Sequence, residues 1–327
     1  MESRSEGQHG EALRRVQSIE PSQGARGSSG LSFFPWNSRT IFAKSRLPFG
    51  LTLCERTQNK EQTGYMTTMT EGFLTVAGHR LEYAWHGASP KDAATLVFLH
   101  EGLGCRDLWK TVPATLAARL NMGALVYSRA GYGRSSGITL PRTDNYLMPE
   151  ALDVLPAVLD ATGVERAVLI GHSDGGSIAL ITAGRAADPR VKAIVTEAAH
   201  VFVEDITLAG IRDARVAWNT TSLRDKLARW HGDNTDTAFY GWNDTWQTEA
   251  YAAWNIEDVL PGITVPSLII QGEGDQYGTE AQVDAIVSAV SGPTTKLMVP
   301  DCGHVPHFEQ PKIVHDAIAG FVKALPL

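Results

Sequence analysis

From Phe73 onward the chain alternates short apolar runs, many of them β-branched, with amphipathic stretches. Phe73–Val76 and Leu81–Trp85 read as a pair of antiparallel strands around Gly78. Six further strands are predicted at Thr95–Leu99, Ala124–Tyr127, Ala167–Ile170, Ala193–Val195, Ser267–Ile270 and Lys296–Val299. Runs such as Ala167-Val168-Leu169-Ile170 are apolar at every position, which suits a parallel strand covered on both faces. Between them the period lengthens to that of a helix. Ala151, Leu152, Leu155, Val158 and Leu159 share one face, as do Val283, Ile286, Val287 and Val290, and later Ile313, Val314, Ala317, Phe321 and Val322. Strand and helix in alternation predict a mostly parallel sheet with helices on both sides.

One interval departs from this rhythm. About seventy residues between Val195 and Ser267 carry helical patches and no convincing strand, and five of the eight tryptophans fall there. A structureless loop of that length is uncommon inside a domain, so 200–262 is read as an inserted helical cap between core segments 66–199 and 263–327. Its tryptophans either pack the cap or roof a pocket. Trp218, Trp242 and Trp246 are the candidates for substrate contact.

The first 65 residues change the picture at the other end. They hold nine Lys/Arg and six Asp/Glu, a net of +3, which leaves −10 for 66–327 out of the chain's −7. No period of 3.6 or 2 is sustained there, and the best apolar run, Leu47–Cys54, is broken by Pro48 and Gly50. A disordered extension, or sequence upstream of a start at Met66 or Met69, is expected. The acidic balance argues against a nucleic-acid partner. No run nears the roughly eighteen apolar residues of a membrane span. Three cysteines, Cys54, Cys105 and Cys302, show no metal or redox spacing and fit a reducing cytoplasm. Cys302 is read as a packed side chain.

The candidate chemistry lies just past the strand ends. Gly171-His172-Ser173-Asp174-Gly175-Gly176 follows one predicted strand and opens a helix, the setting of a nucleophile elbow. A serine hydroxyl needs a base. His304, in the loop after the last strand, is the candidate, with His307 as its rival. The base needs an acid to fix its tautomer. Asp275, between Gly274 and Gln276 after the strand at Ser267, is chosen over Glu273 and Glu197. His100-Glu101-Gly102, after Thr95–Leu99, is where a second oxyanion N–H is expected, at Glu101 or Gly102, paired with that of Asp174. His100 is expected to organise that loop and His172 to point into the elbow packing.

These motifs, in the order Ser173…Asp275…His304, together with Ser128-Arg129-Ala130-Gly131-Tyr132-Gly133 and Gly303-His304…Pro311, resemble the α/β-hydrolase superfamily over about 73–325. The resemblance implies an eight-stranded, mostly parallel sheet with an inserted cap and a serine nucleophile. It also implies hydrolysis of a small carboxylic ester, thioester, lactone or amide through an acyl-enzyme. Carbon–carbon hydrolases and enol-lactonases of this fold commonly carry Met after the serine, and Asp174 departs from that. Ser173-Asp174-Gly175-Gly176 looks more like amino-acid ester hydrolases related to valacyclovir hydrolase, in which Asp174, with Glu101, would pair with a substrate ammonium. The plainer alternative has Asp174 capping the next helix. A slow-turnover small-molecule receptor on the same fold is the competing class. No dinucleotide turn, P-loop or metal spacing is present in the sequence, so no cofactor or metal is expected. The expected partner is a small-molecule substrate in an apolar pocket.

Overall fold

The computed structural model describes residues 69–327. The readings made for the first 65 residues, and for Met66 as a start, lie outside that range.

Eight strands form one sheet in the order β1-β2-β4-β3-β5-β6-β7-β8. They are β1 (Met69–Val76), β2 (His79–Gly87), β3 (Thr95–Leu99), β4 (Gly123–Tyr127), β5 (Ala167–His172), β6 (Val191–Glu197), β7 (Ser267–Gly272) and β8 (Thr294–Val299). β1 and β2 pair antiparallel, as does β2 with β4, and every later pairing is parallel. Each predicted strand is present, most of them a residue or more longer than the apolar run that announced it.

The alternation along the central strands builds two cores. Val97, Leu99, Ala167 and Leu169 face one side of the sheet, and Leu96, Phe98, Val168 and Ile170 face the other. On the second side lie α1 (Val112–Leu120) through Val112, Leu116 and Ala117, and the C-terminal helix through Val314, Ile318 and Val322. The first side is covered by α2 (Leu155–Thr162), α3 (Asp174–Ile181) and the helix before β8. A buried stripe at i, i+4 and i+8 (Val314, Ile318 and Val322) holds the C-terminal helix against the sheet, while α3 is buried along its whole length.

The interval after β6 folds as α4 (Asp205–Thr220), α5 (Leu223–His231) and α6 (Thr235–Trp246), with an isolated bridge from Phe202 to Asn255. α4 begins with a capping box in which Glu204 and Thr207 each hold the other's backbone N–H. The chain then returns through β7 to α7 (Glu280–Ala289), which Thr279 caps at Ala281 N–H, and ends in α8 (Pro311–Lys323). Register aligns the strand ends: Leu99 stands beside Gly171, His172 beside Glu197, and Gly272 beside Val299. The loops after β3, β5, β6, β7 and β8 therefore gather at the carboxyl edge of the sheet, where α/β folds place their sites.

Candidate active site

Ser173 is the turn between β5 and α3. Its backbone sits at φ 52° and ψ −116°, a conformation costing a non-glycine residue about 1–3 kcal/mol. Neighbouring chain leaves no room for side chains around it. A Cβ at Gly171 would strike the Gly175 carbonyl, one at Gly175 would strike the Leu99 carbonyl, and one at Gly176 would meet Ala199. Ser173 N–H donates to the Glu197 carbonyl at 2.8 Å, and the Ser173 carbonyl accepts from Gly176 and Ser177 N–H. The turn is thus held from both sides.

His304 Nδ1 stands 2.9 Å from both carboxylate oxygens of Asp275. Asp275 also accepts from Gln271 Nε2 at 2.8 Å and from Tyr277 N–H at 2.8 Å. Burial acts to raise its carboxyl, but the charge and hydrogen bond of His304 and the Tyr277 N–H outweigh it, so Asp275 lies below the usual range. Tyr277 packs on the His304 ring at 4.7 Å, and His200 lies on the other contact at 6.0 Å. Burial holds His200 neutral down to about pH 4. Ser173 and His304 line one cavity of about 70 Å³ with Gly102, Trp242, Trp246 and Leu108.

The loop after β3 is organised by His100. Its Nδ1 donates to the Glu101 carbonyl at 2.7 Å while Nε2 accepts Arg129 N–H at 3.1 Å. Burial and the Arg129 charge push its pKa well below the ordinary value, which suits that neutral tautomer. Arg129 Nη2 and Gly104 N–H donate to the same Glu101 carbonyl at 3.0 and 3.1 Å. In a planar trans peptide the following N–H points the opposite way, and Gly102 lies on the cavity wall.

Several expectations need correction. Asp174 does not face the cavity. Its Oδ2 accepts Tyr146 O–H at 2.7 Å and pairs with Arg129 at 3.3 Å, and Trp246 Nε1 donates to the Tyr146 oxygen at 3.0 Å. The carboxylate is already neutralised inside the protein, so it neither waits for a substrate ammonium nor makes a side-chain cap of α3. Trp218 is outside the cavity too. It stacks on Phe239 at 3.9 Å and donates to Tyr240 O–H at 3.1 Å, filling the helical insertion. Trp242 and Trp246 do line the cavity, and Trp242 lies directly on Gly102. His172 packs in the elbow and does more: Nε2 donates to the His304 carbonyl at 2.7 Å, tying the elbow to the histidine loop. Glu273 is exposed, and its carboxylate stays outside the His304–Asp275 pair.

The two rivals, Glu197 and His307, pair with each other. His307 Nδ1 and its backbone N–H both reach Glu197 Oε2, at 2.9 and 3.0 Å. Burial acts to raise the Glu197 carboxyl, and the pairing with His307 carries it below the usual range. Cys302 is buried, and burial pushes its thiol up to about 12, which makes it unreactive packing. Among the described residues no group of three or more His, Cys, Asp or Glu is arranged to hold a metal. Among them, too, no helix is long and apolar enough to cross a membrane.

Residues 96–317 match the model of the alpha/beta hydrolase family. The chain belongs to that family. It is 25% identical over 254 residues to 3-oxoadipate enol-lactonase 1 of Acinetobacter baylyi, covering 72% of this chain and 91% of that one. It is 26% identical over 219 residues to the bifunctional esterase/perhydrolase DCH of Acinetobacter calcoaceticus, covering 57% and 76%. Among solved structures, the enol-lactonase from Burkholderia xenovorans LB400 superposes with a TM-score of 0.60 at 21% identity, covering 77% of this chain and all (100%) of that chain. That last likeness is one of fold.

Proposed function

We propose that this alpha/beta hydrolase cleaves a small carboxylic ester or lactone through an acyl-enzyme on Ser173. The observation that carries the reading is the strained Ser173 turn sharing a cavity with a histidine whose Nδ1 is held by a buried carboxylate. Asp275 keeps the His304 proton on Nδ1, so that Nε2 is free to accept. Ser173 Oγ attacks the carbonyl carbon and its proton passes to His304 Nε2. The negative oxygen of the tetrahedral intermediate meets the backbone N–H of Asp174, at the first position of α3 where no helical partner exists. The second donor is the N–H of Gly102, supported by the outward direction of the Glu101 carbonyl. The leaving oxygen takes the proton from His304, and water then repeats the steps on the acyl-enzyme.

The helices between β6 and β7 serve as a cap, with Trp242 and Trp246 as its inner surface. The small cavity supports short acyl groups. Lactones belong beside open-chain esters because the enol-lactonase relative matches across most of its length, although Asp174 stands where Met is common in such enzymes. The two described cysteines, Cys105 and Cys302, are free thiols, which fits the cytoplasm.

Hydrolysis of p-nitrophenyl acetate and butyrate by wild type and Ser173→Ala tests the reading. Acetate turnover by wild type, falling by at least about a thousandfold in the variant, is expected. Equal turnover by both proteins would remove Ser173 as nucleophile.

A further inference from the structure

The cavity holds a second histidine with its own carboxylate. Glu197 and His307 are 0% and 3% exposed. Their 2.9 Å contact engages His307 Nδ1. A carboxylate in that position holds the ring proton on Nδ1, and in that tautomer Nε2 is a hydrogen-bond acceptor. The ring is also locked in orientation. It stacks on Trp109 at 4.6 Å and 29°, and His172 meets its face edge-on at 5.2 Å. Its backbone N–H is bound to the same carboxylate. A histidine that only filled space would gain nothing from burying a carboxylate beside it, since the desolvation is costly. His307 is part of the cavity wall together with Phe308 and Leu108.

A second acceptor faces the same space. Glu101 lines the cavity with its side chain 27% exposed, and its nearest ion-pair partner, His172 Nδ1, stands at 3.6 Å, beyond a direct hydrogen bond. Neither group is used in the acyl-transfer steps above. Leu103, Leu108, Ile211, Leu223 and Leu227 make much of the remaining wall apolar. An acceptor aimed into an apolar cavity discriminates through substrates that satisfy it.

We propose that His307 Nε2 and the Glu101 carboxylate form a donor-recognition site, and that the substrate is an ester or lactone carrying a hydroxyl or ammonium group. The assignment rests on the serine-hydrolase reading of the same cavity. The hydroxyl hydrogen-bonds to His307, held in place by Glu197. An ammonium pairs with the Glu101 carboxylate, which stands 3.6 Å from His172 Nδ1.

The test reads binding rather than turnover. Ser173→Ala protein is titrated calorimetrically with methyl butyrate, methyl 3-hydroxybutyrate and methyl 4-aminobutyrate. A hydroxyl or ammonium ester is expected to bind roughly tenfold tighter than methyl butyrate, the worth of one hydrogen bond at about 1.4 kcal/mol. Adding Glu197→Gln with His307→Phe, which leaves no buried charge unpaired, should bring the hydroxyl preference to about unity. Adding Glu101→Gln should do so for the ammonium preference. The ring ¹⁵N shifts of His307 in Ser173→Ala give a second readout without those substitutions: Nε2 moves with the hydroxylated ester and not with methyl butyrate. Equal affinity for all three esters, or a preference that survives both sets of substitutions, overturns the proposal. If Ser173→Ala still turns over p-nitrophenyl esters, the nucleophile assignment fails instead, and the binding preferences are read independently of it.

Discussion

His304 and His307 stand three residues apart and each holds a buried carboxylate at 2.9 Å through Nδ1. Their surroundings differ. Asp275 offers both oxygens to His304 and is braced by Gln271 and Tyr277. Glu197 gives one oxygen to His307 and leaves Oε1 without a partner. His304 lies between Tyr277 and His200, while His307 is stacked on Trp109. In the proposed reading the same pairing serves proton transfer in one place and substrate recognition in the other. The two also differ at the elbow, where the His304 carbonyl accepts from His172, the residue next to Ser173.

The largest expected effect separates the two acids. Asp275→Asn should lower kcat by about 10⁴, because the amide no longer holds the proton on Nδ1 of His304. Glu197→Gln should lower it by no more than about tenfold. Comparable losses in the two variants, measured on p-nitrophenyl acetate, would mean that the two carboxylates do not differ in role.

Stability gives a second readout of the Glu197 pair. Removing Glu197 breaks a buried pair, which costs about 3 kcal/mol or more at neutral pH. Its folded carboxyl lies below the ordinary 4.5, so this contribution is present above that value and is lost as pH falls through the folded one. Urea unfolding of wild type and Glu197→Gln should therefore show a gap at pH 7 that narrows on acidification below about 4. A gap that stays constant would mean that the pairing is not the source.

A smaller effect belongs to His200, which stacks on His304 alone of the two. Its pKa falls from 6.5 to about 4. Between those values the unfolded chain binds the proton and the folded one does not, so stability declines as pH drops from 6.5 toward 4. His200→Gln should flatten the change in Tm between pH 7 and pH 5. An unchanged slope would place that dependence on other groups.

Much of the frame was legible because its signals are local. Fully apolar runs at β3, β4 and β5 mark strands buried on both faces, and the glycines around Ser173 announce a turn where any Cβ collides. Chain order pointed to Asp275 and His304, which the fold brings to 2.9 Å of each other. The contacts that were missed join distant segments. Tyr146, Asp174 and Trp246 meet through hydrogen bonds spanning 28 and 100 residues, and no periodicity encodes that meeting. Trp218 and Trp242 come from the same aromatic interval and differ only in which way their helices turn them, a tertiary matter. Glu197 and His307 were each visible as rivals to the chosen pair. That they pair with each other depends on where β6 ends and where the last loop turns, 110 residues later.

The most direct measurement of the central claim is the site of covalent labelling by an alkyl fluorophosphonate, read by peptide mass spectrometry. Serine Oγ displaces fluoride and keeps the phosphonyl group. The account predicts one adduct, on the peptide bearing Ser173, with labelling slowed strongly in Asp275→Asn and little in Glu197→Gln. A protein that hydrolyses p-nitrophenyl acetate yet carries the label elsewhere, or none, would contradict it.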